Sequence, residues 1–245
     1  MRPYVIVIPA RLKSSRLPNK PLIKILGREM ILRTIDQCRK VTNKKIIYVA
    51  TDSIRLRDFL IKNKFYNVII TSSKCKTGTD RIYEFSKKIV SKYYINVQGD
   101  EPLVNPYDIK KIIKQIKLKS SKNKVINGYA EITKERDYKN SNIPKVVFSS
   151  DKKLLYMSRS NIPSSFKKKA KMFKQICIYA FPKKILQKVF KKNIKSNLES
   201  YEDIEILRFL EKNIDIKMIK LSGSSMSVDV PRDIKEVEKI LKKNE

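Results

Sequence analysis

A basic segment with several hydroxyl groups follows the first apolar run of the chain and is well suited to hold phosphate. Residues 5–8 read VIVI, a pattern typical of a buried strand. We expect this strand to stop at Pro9, because proline cannot extend a sheet ladder. The segment behind it contains Arg11, Lys13, Ser14, Ser15, Arg16 and Lys20. Convergent cations and hydroxyls at a strand end favour a polyphosphate site; a solvated basic loop is the alternative.

This basic segment has no glycine between Pro9 and Lys20. The Walker loop and the dinucleotide-binding fingerprint both need glycines, so that the backbone can approach phosphate closely. Both motifs are therefore excluded here, and side-chain charge must supply most of the phosphate binding.

Acidic residues follow two other apolar runs. Residues 98–102 read QGDEP and come directly after one predicted strand, while Asp229 lies just before Pro231. A carboxylate at the carboxyl end of a strand, beside a glycine, is well placed to bind Mg²⁺ on a nucleotide. Asp100 and Asp229 could then share one metal. The alternative for Asp100 is a turn that caps the helix expected near Tyr107.

The composition limits the possible functions. Lysine and arginine number 56 against 24 acidic residues, a net charge of +32. Lysine is nevertheless spread over nearly every segment, so we interpret the charge as a general surface bias and expect no nucleic-acid partner. Histidine is absent, which excludes histidine triads, histidine bases and histidine metal sites. Any metal site must therefore use oxygen ligands.

Cysteine usage and hydropathy indicate the compartment. Cys38, Cys75 and Cys177 are odd in number and widely spaced, which predicts free thiols in the cytoplasm. No apolar run approaches the ~18 residues of a membrane span, so we expect no membrane insertion.

Strand and helix patterns alternate along the first half of the chain. Strands are predicted at 5–8, 46–50, 68–71 and 94–97, and helices at 30–41, 53–63 and 80–91. This alternation predicts an α/β fold with a mostly parallel sheet, whose ligands lie at the carboxyl ends of the strands. Strands at 145–148, 154–157 and 175–181 indicate a smaller inserted lobe at about 129–182. A helix at 201–212, a strand at 216–221 and a helix at 233–243 follow.

Six segments resemble one known family in order and spacing. They are PARLKSSRLPNKPL (9–22), TGTDR (77–81), NVQGDEP (96–102), SRSNIP (158–163), LESYEDIEILR (198–208) and VDVPRDI (228–234). The set is similar to the ulosonate cytidylyltransferases, above all to the 3-deoxy-manno-octulosonate cytidylyltransferase (CMP-Kdo synthetase) family, and it covers nearly the whole chain.

The resemblance implies a fold and an activity. The fold would be a Rossmann-like core of the nucleotide-diphospho-sugar transferase type, a single domain over 1–245 whose lobe serves dimerisation and the sugar side. The enzyme would transfer a cytidylyl group from CTP to the anomeric hydroxyl of 3-deoxy-manno-octulosonate (Kdo) for lipopolysaccharide synthesis, releasing pyrophosphate. Mg²⁺ would be the cofactor, CTP and a sugar acid the partners, and a homodimer the assembly.

The resemblance also assigns roles to residues. The implied nucleotide-binding residues are Ala10, Arg11, Ser14, Ser15, Arg16, Lys20, Thr77, Gly78, Arg81 and Gln98. Lys20, Arg16, Asp100 and Asp229 would be catalytic, and the two aspartates would hold the metal. Arg159, Gln175, Tyr179 and Glu205 would bind the sugar, with Arg159 clamping its carboxylate because arginine binds carboxylates through two hydrogen bonds.

The chain departs from the family pattern at several positions. Gln175 stands where the family commonly has histidine, and other departures are Cys177, Pro182, Ile206 and Ser227. Most of these lie on the sugar side, so another ulosonic acid stays an alternative acceptor, for example 8-amino-Kdo or a sialic-acid-like nonulosonate. A non-enzymatic anion or nucleic-acid binder is the alternative of a different class.

Overall fold

The computed structural model describes residues 1–14, 16–164, 170–192 and 194–243. Ser15, one of the predicted nucleotide-binding residues, lies outside these ranges. The chain divides into two compact units: residues 1–110 together with 224–245, and residues 111–223. The lobe predicted at 129–182 falls inside the second unit.

Strands and helices alternate in chain order over the described residues. The strands are β1 (Arg2–Ala10), β2 (Lys24–Ile25), β3 (Arg28–Glu29), β4 (Ile47–Thr51), β5 (Val68–Ile70), β6 (Ser91–Val97), β7 (Val125–Glu131), β8 (Lys145–Phe148), β9 (Leu154–Ser158), β10 (Phe173–Pro182) and β11 (Ile216–Lys220). The helices are α1 (Met30–Arg39), α2 (Ile54–Lys62), α3 (Gly78–Lys88), α4 (Pro106–Gln115), α5 (Glu135–Lys139), α6 (Lys183–Phe190), α7 (Asn197–Glu202), α8 (Leu207–Leu210) and α9 (Pro231–Lys243).

A parallel sheet in the order β6–β1–β4–β5 forms the centre of the first unit. Residues 5–10 of β1 are buried, as a strand covered on both faces requires. The prediction of an α/β fold with a mostly parallel sheet is confirmed. All these strands end at one edge of the sheet, so the segments that follow β1 and β6 are neighbours.

The prediction that β1 stops at Pro9 is wrong. The strand continues through Ala10, and Pro9 lies in register with Ala50 of β4. The ladder between β1 and β6 ends earlier, at Val7 and Asn96. Pro9 is therefore tolerated near the end of the strand, where the missing N–H group interrupts no continuing ladder on the β6 side.

Aromatic packing connects α3 to the sheet of the first unit. The ring of Phe85 meets the rings of Tyr48 and Tyr94 edge to face, with centroid distances of 5.3 and 6.1 Å. Such pairs contribute about 0.5–1.5 kcal/mol beyond their buried area. They fix the position of α3 and, through it, of the TGTDR segment at its start.

The second unit is mixed in strand direction. β7 pairs in parallel with β11 and antiparallel with β10, and β8 pairs antiparallel with both β10 and β9. The prediction of one continuous helix at 201–212 is wrong, because two shorter helices occupy this region. α7 ends at Glu202, Asp203 adopts a left-handed conformation with φ 49°, and α8 begins only at Leu207. A left-handed residue cannot continue a right-handed helix.

A buried ion pair joins α7 and α8. Arg208 donates from Nε and Nη2 to the two carboxylate oxygens of Glu199 at 2.5 and 2.7 Å, and both side chains are 1% exposed. The guanidinium also lies over the ring of Phe190, 4.1 Å from its centroid. This bidentate geometry compensates the cost of burying both charges.

Among the described residues, no helix is long and apolar enough to cross a membrane.

Candidate active site

Basic side chains of the segment after β1 line an open cavity at the protein surface. Arg11, Lys13, Ser14 and Arg16 line a surface cavity of about 530 Å³. Two hydrogen bonds close this segment on itself: Leu17 N–H donates to Ser14 Oγ at 3.3 Å, and Asn19 N–H donates to the carbonyl of Leu12 at 3.1 Å. Convergent cations around a cavity are what a polyphosphate site needs. Arg11, Lys13 and Arg16 are also exposed, as in a solvated basic loop, so phosphate binding by this segment stays a prediction.

The last residue of the basic segment reaches both predicted metal ligands. Lys20 Nζ lies 2.5 Å from Asp100 Oδ2 and 3.0 Å from Asp229 Oδ1. Arg16 Nη2 lies 3.1 Å from the same Asp229 oxygen. The structure thus brings together four predicted site residues from three distant segments of the chain.

Backbone contacts hold the two aspartates at this position. The N–H of Val228 donates to the carbonyl of Asp100 at 2.9 Å, which ties the two acidic segments together. Asp233, at the start of α9, accepts from the N–H groups of Asp229 and Val230 at 2.7 and 2.9 Å. The helix cap therefore fixes the turn that carries Asp229.

The helix-cap alternative for Asp100 is wrong. The residue that precedes α4 is Asn105, whose side-chain oxygen accepts from the N–H of Tyr107 at 2.9 Å. Asp100 instead directs a carboxylate oxygen at Lys20.

Opposing effects set the ionisation of Lys20 and Asp229. Burial lowers the pKa of Lys20, but attraction and hydrogen bonds from Asp100 and Asp229 outweigh it, so the pKa lies above its ordinary value. Burial raises the pKa of Asp229, but Lys20, Arg16 and a hydrogen bond from Ser227 outweigh that effect and lower it. Lys20 is therefore an ammonium and Asp229 a carboxylate at neutral pH.

Gly99 allows the Asp100 segment to lie against β1. A Cβ added at Gly99 would lie 2.9 Å from the carbonyl oxygen of Pro9 and 3.4 Å from Ala10 Cβ. Real Cβ atoms do not approach a backbone oxygen that closely, so a larger residue would push the two segments apart.

We predict that Gly99→Ala lowers the free energy of unfolding by about 1–3 kcal/mol, the usual cost of overpacking a tight contact. It should also reduce turnover, because Asp100 is the next residue. Urea unfolding and steady-state assays of the same preparation measure both effects. An unchanged unfolding midpoint would contradict the close contact with Pro9.

Glu101 is a buried acid beside this cluster. It is 5% exposed and accepts a hydrogen bond from Ser225 Oγ at 2.5 Å. Burial raises the pKa of Glu101 from 4.5 to about 7; the hydrogen bond from Ser225 opposes the shift, and Asp100, Asp229 and Asp108 add to it. The folded protein therefore favours the protonated form of this acid.

This preference predicts a pH-dependent stability. Between pH 5 and 8 Glu101 is already deprotonated in the unfolded chain. In the folded protein its raised pKa means that deprotonation costs free energy. Stability of the wild type should therefore fall relative to Glu101→Gln as the pH rises, by on the order of 1–3 kcal/mol. Urea unfolding of both proteins in metal-free buffer measures this. The control is Glu131→Gln, at an exposed position. If the difference in unfolding free energy between the wild type and Glu101→Gln does not change with pH, the pKa of Glu101 is not raised.

The TGTDR segment lies at the N-terminus of α3 rather than in the Lys20 cluster. Thr77 caps this helix: its Oγ1 accepts from the N–H of Asp80 at 3.1 Å, and its own N–H donates to Asp80 Oδ2 at 2.9 Å. Gly78 is the first residue of α3, and Gln98 and Ala10 lie at the ends of β6 and β1. Ala10 and Gln98 thus stand at the carboxyl edge of the parallel sheet, and the nucleotide contacts of all four residues stay predictions.

Arg81 has partners that the sequence did not reveal. Its Nη1 donates to Thr71 Oγ1 at 2.6 Å, and its Nη2 lies 3.3 Å from Asp52 Oδ2, with the arginine only 3% exposed. Asp52 and Thr71 follow β4 and β5 directly. Their position directly after apolar runs is the sequence feature that could have predicted their place near Arg81. These contacts orient Arg81 and the start of α3; its predicted contact with nucleotide stays a prediction.

The predicted sugar-binding residues all belong to the second unit. The guanidinium of Arg159 donates to the carbonyls of Glu202, Ser141 and Asp203 at 2.7, 3.1 and 3.2 Å. The side chain of Glu202 in turn accepts from Ser158 Oγ at 2.6 Å and from the N–H of Arg159 at 2.8 Å. Arg159 is thus firmly oriented, and its role as a carboxylate clamp stays a prediction.

The remaining sugar-side residues are spread over β10 and the segment before α8. Gln175 Nε2 donates to Asn127 Oδ1 at 3.2 Å, the Tyr179 ring stacks on that of Phe181, and Glu205 lies two residues before α8. Their predicted contacts with sugar stay predictions.

Comparison with known proteins decides the family. The family model described as "Cytidylyltransferase" matches residues 5–216 of the chain. A 3-deoxy-manno-octulosonate cytidylyltransferase of Elusimicrobium minutum is 35% identical over 245 residues, covering 98% of each protein. The chain belongs to the 3-deoxy-manno-octulosonate cytidylyltransferase family. It is therefore a nucleotidyltransferase, as the sequence resemblance predicted.

Two further comparisons agree with this membership. The family member from Thermodesulfovibrio yellowstonii is 37% identical over 253 residues, covering 97% of each protein. A solved CMP:2-keto-3-deoxy-manno-octonic acid synthetase, described as complexed with CTP, superimposes with a TM-score of 0.91 at 31% identity and covers 99% of each chain. The fold predicted from the resemblance, a nucleotidyltransferase core, is confirmed.

Proposed function

We propose that this chain transfers a cytidylyl group from CTP to Kdo, forming CMP-Kdo and pyrophosphate for lipopolysaccharide synthesis. The observation that carries the proposal is the convergence of Lys20, Asp100 and Asp229 beside Arg16, in a chain of this family. Cations that would bind phosphate thus lie next to carboxylates that would bind a metal ion, an arrangement that suits nucleotidyl transfer.

The cations after β1 would bind the triphosphate. Arg11, Ser14 and Arg16 line one cavity, and Arg16 shares Asp229 with Lys20. When the bond between the α-phosphorus and the pyrophosphate oxygen breaks, negative charge accumulates on the leaving group. Arginine and lysine side chains on the triphosphate would stabilise that charge, and such electrostatic stabilisation is the largest contribution to catalysis in many enzymes.

The aspartates fit a magnesium ion by the chemistry of their donors. Asp100 and Asp229 each direct one carboxylate oxygen at a single cationic nitrogen, and Mg²⁺ is bound in proteins by one or two carboxylates together with phosphate oxygens and water. We propose that these two residues hold it. When bound, the ion would neutralise phosphate charge and lower the pKa of the attacking sugar hydroxyl.

The composition of the chain also limits which side chains could serve as a general base. The chain has no histidine, so no imidazole takes the proton of the sugar hydroxyl. The lowered pKa keeps Asp229 ionised, the form that a metal ligand needs. Positioning and electrostatics therefore carry the reaction in this proposal.

The acceptor would be held by Arg159, Gln175, Tyr179 and Glu205. A sugar carboxylate suits an arginine whose orientation is already fixed, as the three carbonyl contacts of Arg159 fix it. We further propose a cytoplasmic homodimer; the free thiols Cys38, Cys75 and Cys177 suit a reducing compartment.

Pyrophosphate release from CTP tests the proposal, with Mg²⁺ and a panel of acceptors: Kdo, 8-amino-Kdo and a sialic-acid-like nonulosonate. We expect Kdo to give the highest kcat/KM. Turnover with another acid but none with Kdo would contradict the acceptor. No turnover with any acid, together with salt-sensitive RNA binding, would favour a nucleic-acid binder instead.

A further inference from the structure

Lys20 contacts the same two carboxylate oxygens that a shared metal ion would use. Its Nζ lies within hydrogen-bonding distance of Asp100 Oδ2 and Asp229 Oδ1, and its side chain is only 12% exposed. A divalent ion bound to those oxygens would stand a few ångströms from the ammonium. At such separations a doubly charged ion and a lysine repel each other strongly, even in a polar environment.

We propose that Lys20 is the internal counter-ion of Asp100 and Asp229, and that it competes with the divalent cation for these carboxylates. The inference rests on the proposed function for the identity of the metal ligands. When the cation binds, the Lys20 ammonium moves from the aspartates to the phosphates of the nucleotide.

The local charge balance explains why the two ligands would bind together. Arg16 and Lys20 carry two positive charges, and Asp100 and Asp229 carry two negative ones, so the set of four is neutral. A divalent cation alone would leave the set at +2. A triphosphate supplies the missing negative charge, so each ligand favours the other by the same coupling free energy.

The position of Lys20 allows this movement. It begins a short 3-10 turn (Lys20–Leu22), directly after Asn19 in the left-handed conformation at φ 54°. The backbone is thus fixed by the turn, while the four-carbon side chain of lysine can rotate. In contrast, the backbones of Asp100 and Asp229 are held in place: the N–H of Val228 donates to the carbonyl of Asp100, and the N–H of Asp229 donates to the side chain of Asp233.

Binding of Mn²⁺ alone, without nucleotide, tests the competition. Electron paramagnetic resonance titrations would compare the wild type with Lys20→Met and with Lys20→Gln, which keeps a hydrogen-bond donor but no charge. Lys24→Met is the matched control, because it removes one lysine charge from an exposed position in β2. The double variant Lys20→Met/Asp229→Asn tests whether the Mn²⁺ ion binds at Asp229, because it lacks that carboxylate.

We expect both neutral Lys20 variants to bind Mn²⁺ at least ~10-fold more tightly than the wild type and Lys24→Met. The double variant should lose this gain. Mn²⁺ should also raise the melting temperature of Lys20→Met more than that of the wild type. If Lys20→Met does not fold, Lys20→Gln carries the same test.

Equal or weaker Mn²⁺ binding by the folded Lys20 variants would overturn the proposal, and so would a gain that survives Asp229→Asn. Neither result depends on turnover. Pyrophosphate release by the wild type with CTP and Kdo would stand in both cases, so failure of this inference is distinguishable from failure of the proposed function.

Discussion

Replacing Asp100 or Asp229 by asparagine lowers kcat for CTP-dependent pyrophosphate release at least ~10²-fold, the scale of losing a key electrostatic group. Asparagine has almost the same shape but no charge, so the change removes the attraction for Mg²⁺ and leaves the packing intact. Each aspartate contacts Lys20, so both substitutions should act through the same site and produce similar losses.

Steady-state kinetics at saturating CTP and Kdo measure these losses. Asp58→Asn is the matched control, since Asp58 is an exposed aspartate of α2 that pairs with its chain neighbour Arg57. Circular dichroism and melting temperatures would show that all variants are folded. Turnover above half of the wild-type value in both site variants would refute the metal assignment.

Removing the charge of Arg208 destabilises the protein by about 3–5 kcal/mol, the usual effect of leaving one member of a buried ion pair without its partner. In Arg208→Met the Glu199 carboxyl group, 1% exposed, would lose both hydrogen bonds from the guanidinium, while the N–H of Ser196 still donates to it at 3.3 Å. The substitution also removes the guanidinium from the Phe190 ring. The loss is a large fraction of the about 5–15 kcal/mol by which a typical domain is stable.

Urea unfolding measures this loss, and an exposed pair gives the comparison. Glu135 and Lys139 pair on the surface of α5, so Glu135→Gln should change the unfolding free energy by less than about 0.5 kcal/mol. The double variant Arg208→Met/Glu199→Gln should recover part of the loss, because no buried charge is left alone. An Arg208→Met effect as small as that of Glu135→Gln would contradict the burial of the pair.

Residue types and strand ends were enough to single out the segments that carry Lys20, Asp100 and Asp229. The apolar runs of β1 and β6 predicted two strands, and polar residues directly behind them predicted ligand-binding segments. The spacing of apolar residues along the chain does not tell which distant segments meet in the folded protein. Asp100 lies 80 residues and Asp229 lies 209 residues from Lys20, so only the folded chain brings the three side chains together.

The errors have local physical causes. Pro9 is tolerated in β1 because the adjacent ladder ends before it, and pattern reasoning cannot know where a neighbouring strand stops. The helix predicted through residue 203 breaks because Asp203 adopts a left-handed conformation. Aspartate tolerates this conformation, but the neighbouring residues in the sequence do not predict it. The partners of Arg81 come from two other strand ends.

A crystal structure with CTP and Mn²⁺ tests the central claim most directly. Anomalous scattering from manganese would locate the ion independently of the protein atoms. We predict one manganese bound to carboxylate oxygens of both Asp100 and Asp229 and to phosphate oxygens of CTP, with Arg11, Arg16 and Lys20 on the triphosphate. A nucleotide bound away from the segment after β1, or a manganese without either aspartate, would contradict the account.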